Sequence, residues 1–181
     1  MPSAYTVALF PYLQPMTIPL TEWFCTGRPS PLQWGATRHD FLRLWPGLDA
    51  ELDGQAAAGY PYLTLGEVEF YFQTDPFSDL CEVCIKAWAL AEEEPSPYFD
   101  YGWLRRDLTN AQVQAALQAQ GVAYRVDPGP ASQTPNLRTN SGVLFAFDPD
   151  FEIEANAELM KVYLGRPTPG MWSWQGLTTG A

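Results

Sequence analysis

The chain predicts an α+β protein in which short helices pack on antiparallel strands, and three features of its 181 residues carry that prediction. The stretches GEVEFYF (66–72) and SGVLFAF (141–147) both put an apolar residue at every second position behind a glycine. That is the period of a strand with one buried face. Each is preceded by a capped helical pattern, and each is followed by a turn and a second apolar strand. The four elements recur in the same order, at offsets of 72 for the helices, 75 for the Phe-rich strands and 79 for the closing strands. The expectation is a tandem pseudo-repeat, each unit a short helix packed on two or three antiparallel strands and too small to bury its apolar face without its twin.

Residues 1–33 form a lead segment in which AYTVALFPYL fits an edge strand, where proline is tolerated. Unit one spans 34–91 and opens on GATRHDFLRLWPG (35–47). Thr37 is its N-cap with Asp40 three positions on, Phe41, Leu44 and Trp45 make the apolar stripe, and Pro46-Gly47 ends it. A strand is expected at YPYLTL (60–65), then the Phe-rich strand, the turn QTDPFSD (73–79) and the closing strand LCEVCIKA (80–87). A linker at 92–106, EEEPSPYFDYGWLRR, is acidic and proline-containing, yet aromatic enough to pack down in part.

Unit two spans 107–166 and repeats this grammar. In DLTNAQVQAALQAQG (107–121) Thr109 is the cap, Gln112 stands at N3, Val113, Ala116 and Leu117 form the stripe, and Gly121 terminates the helix. Strands are expected at VAYRV (122–126), in SGVLFAF, and at LMKVYLGR (159–166), with the turn DPDFEIEANAE (148–158) between the last two. The tail 167–181 reads as loop, with Trp172 and Trp174 as anchors.

Twenty-one acidic side chains against ten basic ones give a net charge of −11. Such a surface repels phosphate backbones and anionic headgroups, so direct nucleic-acid or membrane binding is not expected and the natural complement is a basic protein. The N-terminus has no basic n-region, and Pro11 and Pro15 interrupt its apolar run, which fits a cytoplasmic protein rather than a secreted or spanning one. Three cysteines, Cys25, Cys81 and Cys84, are too few for a disulfide framework.

Cys81-Glu-Val-Cys84 is the sharpest local motif, but it falls inside a strand, and a zinc or redox pair needs both sulfurs aimed at one point. Two ordinary strand cysteines are the expected reading. His39 is the sole imidazole and sits in a polar first helical turn, where a solvated role is commoner than a catalytic one. No phosphate loop, nucleophile elbow, zinc-protease helix or dinucleotide fingerprint is present, so no catalytic residue, metal ligand or cofactor is assigned.

Acidic concentrations with aromatic neighbours remain. Asp148, Asp150, Glu152 and Glu154 alternate along one segment, and between Glu67 and Asp100 nine acids face a single base, Lys86. Because aromatic anchors ringed by polar groups are what protein contacts use, the candidate contact residues are Glu67, Glu69, Tyr71, Trp88, Trp103 and that acidic run.

The pattern built on Gly35, Thr37, Arg38 and Phe41, then Gly66, Val68, Glu69, Phe70 and Phe72, then Leu108, Thr109 and Val113, resembles small uncharacterised bacterial proteins of the immunity type. It is also similar to the helix-then-sheet units of BamE-type outer-membrane assembly factors. The resemblance covers about residues 34–166 and carries over no functional residue. It implies a non-catalytic, acidic binding protein that neutralises a basic toxin or nuclease by contact. Three other readings are a nucleic-acid mimic that inhibits a DNA-binding enzyme, a hydrolase using carboxylates of the 148–154 run or of the strand at 67–69, and a structural or housekeeping domain with no discrete site.

Overall fold

A computed structural model describes residues 16–60, 62–74, 77–90, 95–127, 135–148 and 154–167. The first half of these contains β1 (Ile18–Pro19), α1 (Leu20–Thr26), α2 (Arg38–Leu44), α3 (Asp49–Ala57), β2 (Tyr62–Leu65), β3 (Val68–Thr74) and β4 (Ser78–Lys86). The second contains β5 (Phe99–Asp100), α4 (Asn110–Ala119), β6 (Tyr124–Asp127), β7 (Asn136–Thr139), β8 (Leu144–Phe147) and β9 (Leu159–Gly165). The protein is α+β: the described residues form four α-helices and a seven-stranded sheet in the order β2-β3-β4-β9-β8-β7-β6, antiparallel at each pairing.

Sequence alternation builds the sheet. Val68 and Phe70 of β3, Val83 and Ile85 of β4, Phe145 of β8 and Val162 and Leu164 of β9 are all buried on one face. In β4 a bulge opposite the Tyr71–Phe72 step absorbs Cys81, whose Sγ donates to the Tyr71 carbonyl at 3.4 Å. That extra residue lets Leu80 and Val83, three apart, both reach the core. The β2–β3 hairpin closes in two residues, Gly66-Glu67, with Gly66 at φ +57°, a conformation only glycine adopts cheaply.

The helices pack on this buried face. Trp23 and Phe24 of α1 meet Phe70 and Phe145 at 6.4 and 5.5 Å, and Phe41 of α2 meets Phe70 at 4.9 Å. These edge-on pairings place one aromatic cluster under both halves of the sheet, joined from the intervening segment by Phe99, 6.1 Å from Trp23. The expected caps form. The Thr37 N–H donates to the Asp40 carboxylate (2.9 Å), and Thr109 and Gln112 bond reciprocally, the Thr109 N–H giving to Gln112 Oε1 at 2.9 Å and the Gln112 N–H to Thr109 Oγ1 at 3.4 Å.

Five elements lie outside the sequence expectations. Helix α1 and the short β1–β5 ladder come from stretches read as lead segment and linker, and Ile18, Leu20, Trp23 and Phe24 are core. Helix α3 falls where a variable segment was expected. Strand β7 takes the place beside β8, so VAYRV, as β6, moves out to the edge. The opposite edge, β2, is covered by a side chain: Gln55 of α3 accepts from the Thr64 N–H at 2.7 Å and donates to the Thr64 carbonyl at 3.0 Å, standing in for a neighbouring strand. The expected edge strand at 4–13 and the anchors Trp172 and Trp174 lie outside the described residues.

Candidate partner-binding surface

Antiparallel pairing brings distant acidic segments to one end of the sheet. Glu67 sits in the β2–β3 turn, and its carbonyl accepts from the Lys86 N–H at 2.9 Å where β4 ends. A 3₁₀ turn, Ala87–Ala89, follows; Ala87 and Leu90 are buried and leave Trp88 between them 48% exposed. Lys86 pairs with Lys161 of β9, so the start of β9 lies beside this turn. At that start the Glu158 carbonyl accepts from the Asp148 N–H at 2.8 Å, and Glu158 also bridges to Thr109 at the head of α4. Glu67, Trp88, Asp148 and Glu158 therefore share one end of the molecule, although 91 residues separate the first from the last. Glu154 opens a 3₁₀ turn, Glu154–Asn156, that leads into this end, and Asp150 and Glu152 lie outside the described residues.

Glu69 and Tyr71 point elsewhere, onto the sheet face away from the helices. There the Glu69 carboxylate lies 3.4 Å from Lys86 Nζ and accepts the Tyr71 hydroxyl at 2.9 Å, with the Glu69 side chain only 12% exposed. Its charge is spent within the fold. Burial, helped by the bond to Glu69, holds the Tyr71 phenol far above its ordinary range. Tyr71 stands 5.2 Å from Tyr62, and Tyr62 lies 5.7 Å from the exposed Tyr60, forming a ladder of three rings.

Trp103 packs inward. Its ring lies 5.5 Å from Phe24 and 6.0 Å from Phe145, so it pins the 101–106 loop to the core. Cys84 is buried on the sheet face away from the helices, and burial pushes its thiol up to about 11, which suits a packing residue rather than a nucleophile. His39 is exposed on α2. Among the described residues no three His, Cys, Asp or Glu side chains gather to hold a metal ion.

No family model, curated protein or solved structure matches the chain. Among the described residues no helix is long and apolar enough to cross a membrane.

A cleft of about 900 Å³ lies between the β1–β5 ladder and the loop before α4. Two carboxylates on its wall are already engaged. Asp100 accepts the Gly102 N–H at 2.9 Å, and Asp107 pairs with Arg106 at 3.3 Å. Sequence reasoning missed Tyr60, Tyr62, Glu158 and Tyr163 as surface groups. The aromatic ladder had a signal, since Tyr60, Tyr62 and Tyr71 flank one two-residue hairpin, but nothing local marks Glu158 as lying at the same end of the sheet as Trp88.

Proposed function

We propose that the protein is a non-catalytic binding protein that holds a basic protein partner, in the manner of an immunity or inhibitor protein covering a toxin or nuclease. The observation that carries this reading is Trp88, exposed at 48% on the same end of the sheet as Glu67, Asp148 and Glu158, in a chain of net charge −11. An aromatic ring supplies contact area at small entropic cost, and carboxylates at the same end of the sheet select and steer a cationic surface. Internal engagement of Glu69, Asp100 and Asp107 weighs against a pair of catalytic carboxylates at those positions.

The same reading takes the two halves as copies of one unit that diverged in their polar residues. Support comes from the hairpins, where Leu63 pairs with Phe70 in the first half and Leu137 with Phe145 in the second. The second turn is longer and has Gly142 at φ +93°.

The test is capture. The immobilised protein should retain a basic partner at low salt and release it at high salt, and the Trp88→Ala protein should retain much less. Equal retention by Trp88→Ala and the parent would remove Trp88 from the contact and with it the main support for this reading.

A further inference from the structure

The cleft of about 900 Å³ adjoins the end of the sheet that carries Trp88, because its walls reach three parts of that end. Leu90, which caps the 3₁₀ turn holding Trp88, lines it. So do Ser96 and Tyr101, and a Cβ at Gly66, beside Glu67 in the β2–β3 turn, would stand 3.7 Å from Ser96 Oγ and 3.5 Å from Tyr101 Oη. Gln112 lines it too; its Oε1 accepts the Thr109 N–H at 2.9 Å, and Thr109 in turn bridges to Glu158. We propose that the cleft is a second anchor point of the contact made by Trp88, receiving an apolar side chain on a protruding segment of the same basic partner in which lysine or arginine flanks that side chain. This role rests on the binding function proposed for Trp88 and specifies the shape of the surface that binds.

The floor of the cleft suits an apolar group. Leu90, Phe99 and Leu104 line it and are themselves core residues, so an entering ring or aliphatic chain meets apolar surface on a packed support. A volume of about 900 Å³ lies within the roughly 300–1,000 Å³ of ligand pockets, which leaves room for the backbone on either side of the inserted group. Interfaces pair an anchor on one molecule with a pocket on the other, and here the exposed ring and the pocket stand at one end of the same chain.

The sign of the segment is set at the mouth rather than on the wall. Wall charges balance, Asp100 and Asp107 against Arg105 and Arg106, and Asp107 is already paired with Arg106 at 3.3 Å. The turns and bridge that the walls reach bring Glu67 and Glu158. Lys86 and Lys161 are the bases of the neighbouring strand ends, but as cross-strand partners they share the sheet face away from the helices, where Lys86 Nζ lies 3.4 Å from Glu69. The four residues that join Leu90 to Pro95, Ala-Glu-Glu-Glu, add no base. A cationic segment is therefore attracted on approach and meets a neutral wall once inside.

Three capped pentapeptides titrated into the isotope-labelled full chain test the proposal: Lys-Lys-Phe-Lys-Lys, Lys-Lys-Gly-Lys-Lys and Glu-Glu-Phe-Glu-Glu. The first should shift the amide signals of Ser96, Tyr101 and Gln112 together with those of Glu67 and Trp88, and bind at least about tenfold more tightly than the glycine peptide. Cleft amides that do not move, equal affinities for the phenylalanine and glycine peptides, or equal binding of the glutamate peptide in the cleft each overturn the proposal. Shifts at Glu67 and Trp88 without shifts in the cleft remove the cleft alone and leave the binding function of Trp88 standing. Shifts in the cleft with none at Trp88 do the opposite, keeping the pocket and removing Trp88 from the contact.

Discussion

Cys84 shows how a single side chain on the outward sheet face comes to behave as core. Its cross-strand neighbours are Glu69 and Tyr163, and they leave it 1% exposed. Burial favours the neutral thiol, so the folded protein holds its proton up to about 11, against 9.0 for a free thiol. Below the lower of these values the group is neutral whether the chain is folded or not, and the full stability is present. As pH rises between them only the unfolded chain ionises, and stability falls, by about 2–3 kcal/mol over the interval. Urea unfolding across that range should therefore show a loss that is clearly smaller in Cys84→Ala, and parallel pH profiles for the two proteins would contradict the assignment. Thiol labelling gives a second check at this scale: exposed Cys25 should react first and Cys84 last.

At the scale of elements, stability rests on joints between the halves and on one guarded edge. Helix α1 ends at Gly27, whose N–H returns to the Trp23 carbonyl at 2.8 Å with φ +66°, and a Cβ there would collide with the Ser141 carbonyl in the β7–β8 turn. Gly27→Ala should cost roughly 2–5 kcal/mol, combining left-handed strain with the collision, and a loss in urea unfolding well below that would show that the turn can retreat. Gln55→Ala should expose the Thr64 backbone at the β2 edge, lower stability by about 1–2 kcal/mol and raise light scattering on incubation. Unchanged scattering would mean that the edge is guarded by something other than Gln55.

These joints explain which parts of the fold could be read in advance. α2 and α4 carry capping residues and β3 carries strict alternation, signals that reside in a few adjacent residues. α1 starts at Pro19 with no capping side chain, α3 buries only Leu52, and β7 has one buried apolar residue, Leu137, so each exists because its neighbours do. The candidate surface divides in the same way. Exposure of Trp88 follows from a local turn between two buried anchors, whereas its placement at the same end of the sheet as Asp148 and Glu158 depends on the Lys86–Lys161 pairing, which no short stretch of sequence encodes.

For the whole molecule, charge and contact act at different stages of binding. A net charge of −11 attracts a cationic partner over distances set by the Debye length, about 10 Å at 0.1 M salt, before any side chain touches. Trp88 contributes only after contact, when its ring is covered. The association rate for the captured basic partner should therefore fall at least about tenfold between low and high salt, while Trp88→Ala should leave that slope intact and speed dissociation instead. Glu67→Lys combined with Asp148→Lys should do the reverse, flattening the salt dependence with a smaller effect on dissociation. Stopped-flow association at several ionic strengths separates the two effects. A rate indifferent to salt would show that this partner is not selected by charge, and a flattened slope in Trp88→Ala would show that the tryptophan shapes the encounter and not only the final complex.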